Sequence, residues 1–140
     1  MTQNAQDQFE IQDLIYLYGE AVDERDPAKL ARCFANGQVN ITGPGFEMKE
    51  AVAVTGMLSS MYEWTMHAMH NHRYTVEGNK ARGYTYCIAS HVSNKDGQRS
   101  KLDWYVRYED DLAKVGGRWG IVRRNLVVAY QNVAPVSTLG

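Results

Sequence analysis

The chain of 140 residues is poor in the residues that mark several specialised classes of protein. Its two cysteines, Cys33 and Cys87, stand in no metal-binding spacing and are too few for a disulfide framework. Lys and Arg number 15 against 16 Asp and Glu, so the formal net charge of -1 provides no overall field for nucleic acid or anionic lipid. The chain has only three prolines and lacks a Gly- or Ser-rich linker. Both observations predict a single domain over residues 1–140.

Long apolar runs are also lacking. No run approaches the ~20 residues that a helix needs to span a bilayer. The first ten residues, MTQNAQDQFE, are polar and lack the basic and apolar regions of a secretory signal. We therefore expect a reduced, cytoplasmic protein that has no nucleic-acid partner and no membrane partner.

The first part of the sequence has helical periodicity. Between Gln6 and Val22 the apolar residues recur at spacings of three and four, which predicts a helix with one buried face. Asp26 followed by Pro27 is typical of the start of a second, short helix. A short strand, a turn and a third helix are then predicted, at residues 39–42, 43–45 and 49–61.

The second half changes to the period of β-strands. From Thr65 to Gln131, four long segments rich in tyrosine are separated by turn signals at residues 77–79, 96–97 and 116–117. Long antiparallel strands twist and coil, so this order predicts an α+β architecture in which a strongly curved sheet wraps around the N-terminal helices. These strands carry apolar residues at both odd and even positions, for example Cys87 and Tyr86, and therefore on both faces of the sheet. Because the helices cover only one face, we expect a homodimer to cover the other.

Three segments in the same order resemble a known family. They are IQDLIYLYGEAVDERDPAKLARCFA near the start, HAMHNHRYTVEGNKARGYTY in the middle, and YEDDLAKVGGRWGIVRRNLVV near the end. Together they resemble SnoaL-like proteins of the NTF2-like superfamily over nearly the whole chain. The resemblance implies a cystatin-like cone, in which N-terminal helices pack in a curved, mostly antiparallel sheet. It is less specific for function, because this fold hosts several enzymes and also non-catalytic modules.

Within that superfamily, the scytalone dehydratase, dehydrochlorinase and bile-acid dehydratase type uses an Asp near the end of the first helix with a His on the first long strand. The resemblance places these roles on Asp23 and His67. A Tyr five residues before the Asp in the bile-acid dehydratases matches Tyr18, and Asn71 matches the Asn of the family's H-x-x-x-N strand. We therefore expect Tyr18 and Asn71 at a substrate pocket.

The sequence departs from the bile-acid enzymes at two positions. Val128 stands where those enzymes carry an Arg, and Ala89 stands where they carry an Asp. The pair of Asp23 and His67 therefore fits the type, but no one substrate class does. Trp104 and Met66 are typical core residues, and in a cone they would line a pocket for a small hydrophobic molecule.

A His and Asp pair in a dry pocket suits proton abstraction. Neutral imidazole takes up a proton near neutral pH, while the carboxylate fixes its tautomer and stabilises the imidazolium. Loss of water or migration of a double bond beside a carbonyl needs no cofactor and no metal. The alternatives without a catalytic role are that His67 is a structural histidine of a strand and that Asp23 is an exposed charge at a helix end.

Two other patterns leave alternatives open. His70 and His72 alternate onto one face of a strand, which suits a metal site with His91 or Glu77 as a further ligand, although we expect that pair on the outer face or at a subunit interface. Either Arg123 or Arg124 faces the concave side and would clamp an anionic substrate.

The sequence thus supports three hypotheses. The first is a cofactor-independent lyase (a dehydratase) or an isomerase acting on a small hydrophobic substrate that bears a carbonyl group. The second is a non-catalytic module of the same fold that binds a ligand or forms a dimer. The third is a structural role like that of the small subunit of ring-hydroxylating dioxygenases.

Overall fold

Helices occupy the first part of the chain and long strands the second. The computed structural model describes residues 1–139. Three α-helices precede the long strands: α1 (Gln3–Asp23), α2 (Pro27–Arg32) and α3 (Ala51–Met61). The strands are β1 (Ile41–Gly43), β2 (Phe46–Met48), β3 (Trp64–Glu77), β4 (Lys80–Lys95), β5 (Gln98–Val115) and β6 (Arg118–Pro135). All three predicted helices and all four predicted long strands are present.

Side-chain caps fix the starts of the first two helices. The Thr2 hydroxyl accepts a hydrogen bond from the Ala5 amide, and the Asp26 carboxylate accepts one from the Lys29 amide at 3.0 Å. Pro27 takes the first helical position, where a missing N–H costs nothing. None of the helices among residues 1–139 is long and apolar enough to cross a membrane.

The six strands form one mixed sheet in the order β2-β1-β6-β5-β4-β3. The four long strands are antiparallel neighbours, and β1 pairs with β6 in parallel. Helix α1 packs against the face of the sheet that carries Cys87, Val106 and Tyr108, where the largest buried side chains lie. The expected α+β cone of the NTF2-like type is confirmed.

A bulge interrupts the first long strand. Met69 pairs with Cys87 and His72 pairs with Thr85, so two residues of β3 stand opposite one residue of β4. As a result the odd-numbered His67 and Met69, before the bulge, share the concave face with the even-numbered His72 and Tyr74, after it. The prediction that His70 and His72 share a face is therefore wrong: His70 is exposed, and His72 is half-buried on the concave side.

A glycine lets the first helix approach this strand closely. A Cβ atom on Gly19 would lie 3.0 Å from the Cγ atom of Met69 and 3.5 Å from the carbonyl oxygen of His67. Any larger side chain there would push α1 away from β3. The end of α1, with Asp23, is thereby held beside the start of β3.

Candidate active site

Asp23 and His67 meet through two separate contacts. Asp23 is the last residue of α1, and His67 lies near the start of β3. The His67 ring atom Nδ1 lies 2.7 Å from Asp23 Oδ1, and the main-chain N–H of His67 donates to Asp23 Oδ2 at 2.8 Å. The Thr65 hydroxyl lies 2.9 Å from Oδ1 as a further donor. The carboxylate therefore holds both the backbone and the ring of His67.

These bonds set the protonation of the pair. Burial opposes ionisation of Asp23, but the hydrogen bonds from His67 and Thr65 outweigh it and lower the pKa of the carboxyl below 3.8. Asp23 is thus a carboxylate at neutral pH, and Nδ1 of His67 must carry the hydrogen that it accepts. This leaves Nε2 of a neutral ring without a hydrogen and able to take up a proton. The His67 side chain is 8% exposed and that of Asp23 is 26% exposed.

A second histidine lies next to this pair. The ring centroids of His67 and His91 are 5.9 Å apart, and His91 also contacts Tyr62 at 4.7 Å. Its Nδ1 lies 2.9 Å from the carbonyl oxygen of Leu102, so that nitrogen carries the hydrogen. Burial lowers the pKa of His91, and the bond to Leu102 only partly opposes this. His91 is therefore neutral at neutral pH, with Nε2 as an acceptor.

Sequence reasoning offered His91 only as a spare metal ligand. The signal for its true position is its register: His91 pairs with Thr65, two residues before His67 on the same face. Among residues 1–139 no group of three or more His, Cys, Asp or Glu side chains is arranged to hold a metal ion. The metal alternative therefore has no geometric support in the described part of the chain.

Tyr18 lies deeper in the concave interior than the pair. It is 4% exposed, and the guanidinium carbon of Arg124 lies 4.2 Å from its ring centroid and 4.1 Å from that of Tyr108. Burial raises the pKa of Tyr18 to about 12, so its hydroxyl keeps its hydrogen. Of the two arginines, Arg124 faces the interior and Arg123 faces outward.

The other two predicted pocket residues on β3 lie elsewhere. Met66 is 57% exposed on the outer face of the sheet, because it alternates with Thr65 and His67. Asn71 is exposed in the bulge. Neither lines the concave interior, so these two predictions are wrong. Trp104 does face the interior, with its ring centroid 5.9 Å from that of His91, and its Nε1 donates to Gln131 at 3.2 Å.

Four surface clefts lie away from the pair. One runs along Thr75, Arg82 and Asp111. Others lie beside Ala35 and beside Asp13, and a fourth includes Tyr84. None of these four clefts among residues 1–139 includes Asp23 or His67.

The model of the SnoaL-like domain family matches residues 3–125. The chain belongs to the SnoaL-like family. That family was the one indicated by the sequence resemblance, and the match spans α1 to β6, including Asp23 and His67. No curated protein sequence matches this chain.

Solved structures similar to this SnoaL-like protein share its fold. A candidate scytalone dehydratase from Novosphingobium aromaticivorans aligns with a TM-score of 0.77 at 22% identity, covering 92% of this chain and 88% of its own. Hexachlorocyclohexane dehydrochlorinase LinA-type3 from Novosphingobium barchaimii aligns with a TM-score of 0.78 at 18% identity. The alignment covers 97% of this chain and 94% of that protein. A protein with a cystatin-like fold from Nostoc punctiforme aligns with a TM-score of 0.73 at 20% identity. The alignment covers 91% of this chain and 95% of that protein. At these identities the likeness shows the fold.

Proposed function

We propose that this SnoaL-like protein is a cofactor-independent lyase or isomerase in which His67 is the base and Asp23 orients it. The observation that carries the proposal is the 2.7 Å contact between Nδ1 of His67 and Asp23, which leaves Nε2 free to accept a proton. Histidine is the side chain best suited to proton transfer near neutral pH. The names of two structural relatives describe eliminations, of water and of hydrogen chloride, and both support the same reaction class.

The proposed step removes a proton from a carbon atom next to a carbonyl group. Nε2 of His67 takes that proton, and the C–H electron pair forms an enolate with the carbonyl group. In a dehydration, the enolate expels the hydroxyl group of the neighbouring carbon, which takes the proton from the imidazolium and leaves as water. In an isomerisation no group leaves, and the imidazolium returns the proton to another carbon of the conjugated system, so that the double bond moves. The Asp23 carboxylate stabilises the imidazolium between these two transfers.

The residues around Nε2 favour a small hydrophobic substrate. The rings of Tyr62 and Trp104 lie beside that of His91, with centroids 4.7 and 5.9 Å away, and Met69 follows His67 on the same face of β3. All three pack against the hydrophobic core and carry no charge. Neutral His91 presents an acceptor nitrogen that suits a substrate hydroxyl or a water molecule. We propose Trp104 and Tyr18 as parts of the interior that receives the substrate.

A non-catalytic binding module is the second candidate. The observation in its favour is that the four clefts described above all lie away from His67. In that case a ligand would bind in one of these clefts without being changed, and replacing His67 would leave its affinity unaltered.

The outer face of the sheet supports a proposed homodimer. Tyr105 and Tyr130 stack on this face with ring centroids 4.2 Å apart, and Tyr130 is 63% exposed. Tyr86, Val127 and Met66 are also exposed there, at 39%, 40% and 57%. A second copy that packs sheet against sheet would remove this apolar surface from water.

The proposed function is tested by proton exchange and by elimination. The protein is incubated in D₂O with small ketones, and loss of the α-proton signal is followed by NMR. In parallel, scytalone, hexachlorocyclohexane and aromatic β-hydroxy ketones are assayed for loss of water or hydrogen chloride. Exchange or elimination that disappears in His67→Ala is the expected result. Binding without either reaction favours the module instead.

A further inference from the structure

The end of α1 carries an arginine where glycine is the usual residue. The Arg25 amide donates to the Val22 carbonyl at 3.3 Å, and the Asp26 amide donates to the Ala21 carbonyl at 3.1 Å. These two bonds form a Schellman motif, whose central residue has a left-handed backbone. Arg25 takes that position with φ of 58°. A side chain there costs free energy that glycine would avoid, so the contacts of the guanidinium must offset this cost.

The guanidinium of Arg25 folds back toward the Asp23 carboxylate. Its Nη1 donates to the carbonyl oxygens of Val22 at 2.9 Å and Asp23 at 3.4 Å. The same atom lies 2.6 Å from the hydroxyl oxygen of Thr65. A guanidinium can only donate, so the Thr65 oxygen is the acceptor in this contact. The hydroxyl hydrogen of Thr65 is thereby left for Asp23 Oδ1, at 2.9 Å.

We propose that Arg25 and Thr65 are positioning residues for the pair of Asp23 and His67. Arg25 orients the Thr65 hydroxyl as a donor, and Thr65 in turn holds the oxygen of Asp23 that also receives the His67 ring. A chain of three contacts therefore links the left-handed residue after α1 to the proposed base on β3. The effect on catalysis rests on the function proposed above, while the effect on the His67 ring is independent of any substrate.

The sign of the expected effect follows from the charges around His67. The groups that face its ring or the adjoining carboxylate are Asp23 and Arg25 from the end of α1, and Cys87 and His91 from β4. Burial raises the pKa of Cys87 to about 12, so this thiol stays neutral. Removing Arg25 deletes the nearby positive charge, and removing the Thr65 hydroxyl deletes a donor to Asp23. Either change leaves the carboxylate to interact more strongly with the His67 imidazolium, so His67 should titrate at higher pH.

The test is an NMR titration of the free protein labelled with ¹⁵N in its histidine rings. Four variants are compared with the native chain: Arg25→Gly, Thr65→Val, Thr65→Ser and the distant Arg123→Gln. The His67 signals are assigned from the spectrum of His67→Gln. We expect the His67 midpoint to rise by about 0.5 pH units or more in Arg25→Gly and Thr65→Val. Thr65→Ser should restore the native midpoint, and Arg123→Gln should leave it unchanged.

Arg25→Gly should leave the fold intact, because glycine is the preferred residue at a left-handed position. Circular dichroism checks that each variant keeps the native fold, and Thr65→Val decides the question if Arg25→Gly does not. Unchanged His67 midpoints in folded Arg25→Gly and Thr65→Val would overturn the proposal. A shifted midpoint in a protein that catalyses neither exchange nor elimination would instead sustain the positioning role and refute the proposed function. With an active protein, kcat should fall about ten-fold or more while KM changes less than about two-fold.

Discussion

Arg124 and Asp110 form an ion pair that is closed off from water inside the cone. The two residues are register partners on β6 and β5, and Arg124 Nε and Nη2 donate to the two carboxylate oxygens at 2.9 and 2.7 Å. Their side chains are 1% and 0% exposed. Tyr74 donates to the same carboxylate at 2.6 Å. Both charges therefore depend on each other, since neither has solvent to replace its partner.

The first prediction is that Arg124→Leu destabilises the fold by about 3–5 kcal/mol, because it leaves Asp110 buried without its cation. Arg123→Leu is the matched control. Arg123 is the adjacent residue, its side chain is 60% exposed, and its ion pair with Asp111 spans 3.4 Å at the surface. That variant should change the free energy of unfolding by no more than about 0.5 kcal/mol. Urea unfolding of the two variants measures both values, and equal losses would contradict the prediction.

The second prediction concerns the proposed base. His67→Ala should abolish α-proton exchange while lowering the free energy of unfolding by about 1–3 kcal/mol, because it removes a buried ring but leaves Asp23 its bonds from Thr65 and the main-chain amide. Asp23→Asn should lower kcat by about 100-fold or more with a smaller change in KM, because its role is to orient the ring and stabilise the imidazolium. Full activity of His67→Ala would exclude His67 as the base. An effect of Asp23→Asn on KM alone would indicate a binding role.

The third prediction is a pH dependence that arises at the other end of α1. The buried Asp7 accepts hydrogen bonds from Trp119 Nε1 at 3.0 Å and from Lys114 Nζ at 3.1 Å. The Trp119 bond is the main cause that lowers the pKa of Asp7 below its usual 3.8. A lowered pKa in the folded state stabilises the fold above pH 3.8, and this stabilisation is lost as the pH falls through the folded-state value.

Asp7→Asn should accordingly melt at a lower temperature than the native chain at neutral pH, and the difference should shrink below about pH 4. Thermal unfolding from pH 7 to pH 3 measures this difference. Asp13→Asn on the exposed side of α1 serves as the control, with a small difference at every pH. A deficit in Asp7→Asn that stays constant across this range would show that the carboxylate charge contributes nothing.

The fourth prediction concerns assembly. Light scattering at micromolar concentration should give about twice the 15.9 kDa chain mass. Tyr130→Glu should shift the protein toward monomer, because it places a charge in the proposed interface. Phe9→Glu is the control, since Phe9 is a similarly exposed aromatic residue, at 60%, on α1. A native chain that is monomeric, or equal effects of both variants, would contradict the proposed dimer.

Most of the architecture could be predicted because its signals are local. Asp26 with Pro27 indicates a helix start, and the paired residues Asp96 and Gly97 mark a turn in which both have positive φ. The order of elements and the resemblance of three segments then led to the family and to Asp23 and His67. These inferences depend on residues that lie close together in the chain.

The misplaced residues depend on register, which a single sequence does not reveal. Neighbouring residues of a strand face opposite sides of the sheet, so Met66 and His67 cannot both line the pocket. The prediction for Met66 was based on its apolar side chain and not on its position in the strand. The positions of Asn71, His70 and His72 could not be predicted, because a bulge adds one residue between Met69 and His72 and puts the two histidines on different faces. The proposed role of Arg25 is likewise invisible in the sequence, since it rests on a contact with Thr65, 40 positions away.

The bulge in β3 has a consequence for comparing relatives. The stretch before it contributes His67 to the proposed chemistry, and the stretch after it contributes Tyr74, which bonds to the buried Asp110. Deleting one of the two bulge residues, His70 or Asn71, would restore regular pairing, so that Met69 and His72 would still oppose Cys87 and Thr85 and Tyr74 would keep facing the interior. An alignment of β3 is therefore meaningful only as two blocks, one on each side of the bulge, with a gap allowed between them. Relatives that lack the extra residue would carry the counterpart of Tyr74 six positions after that of His67 instead of seven.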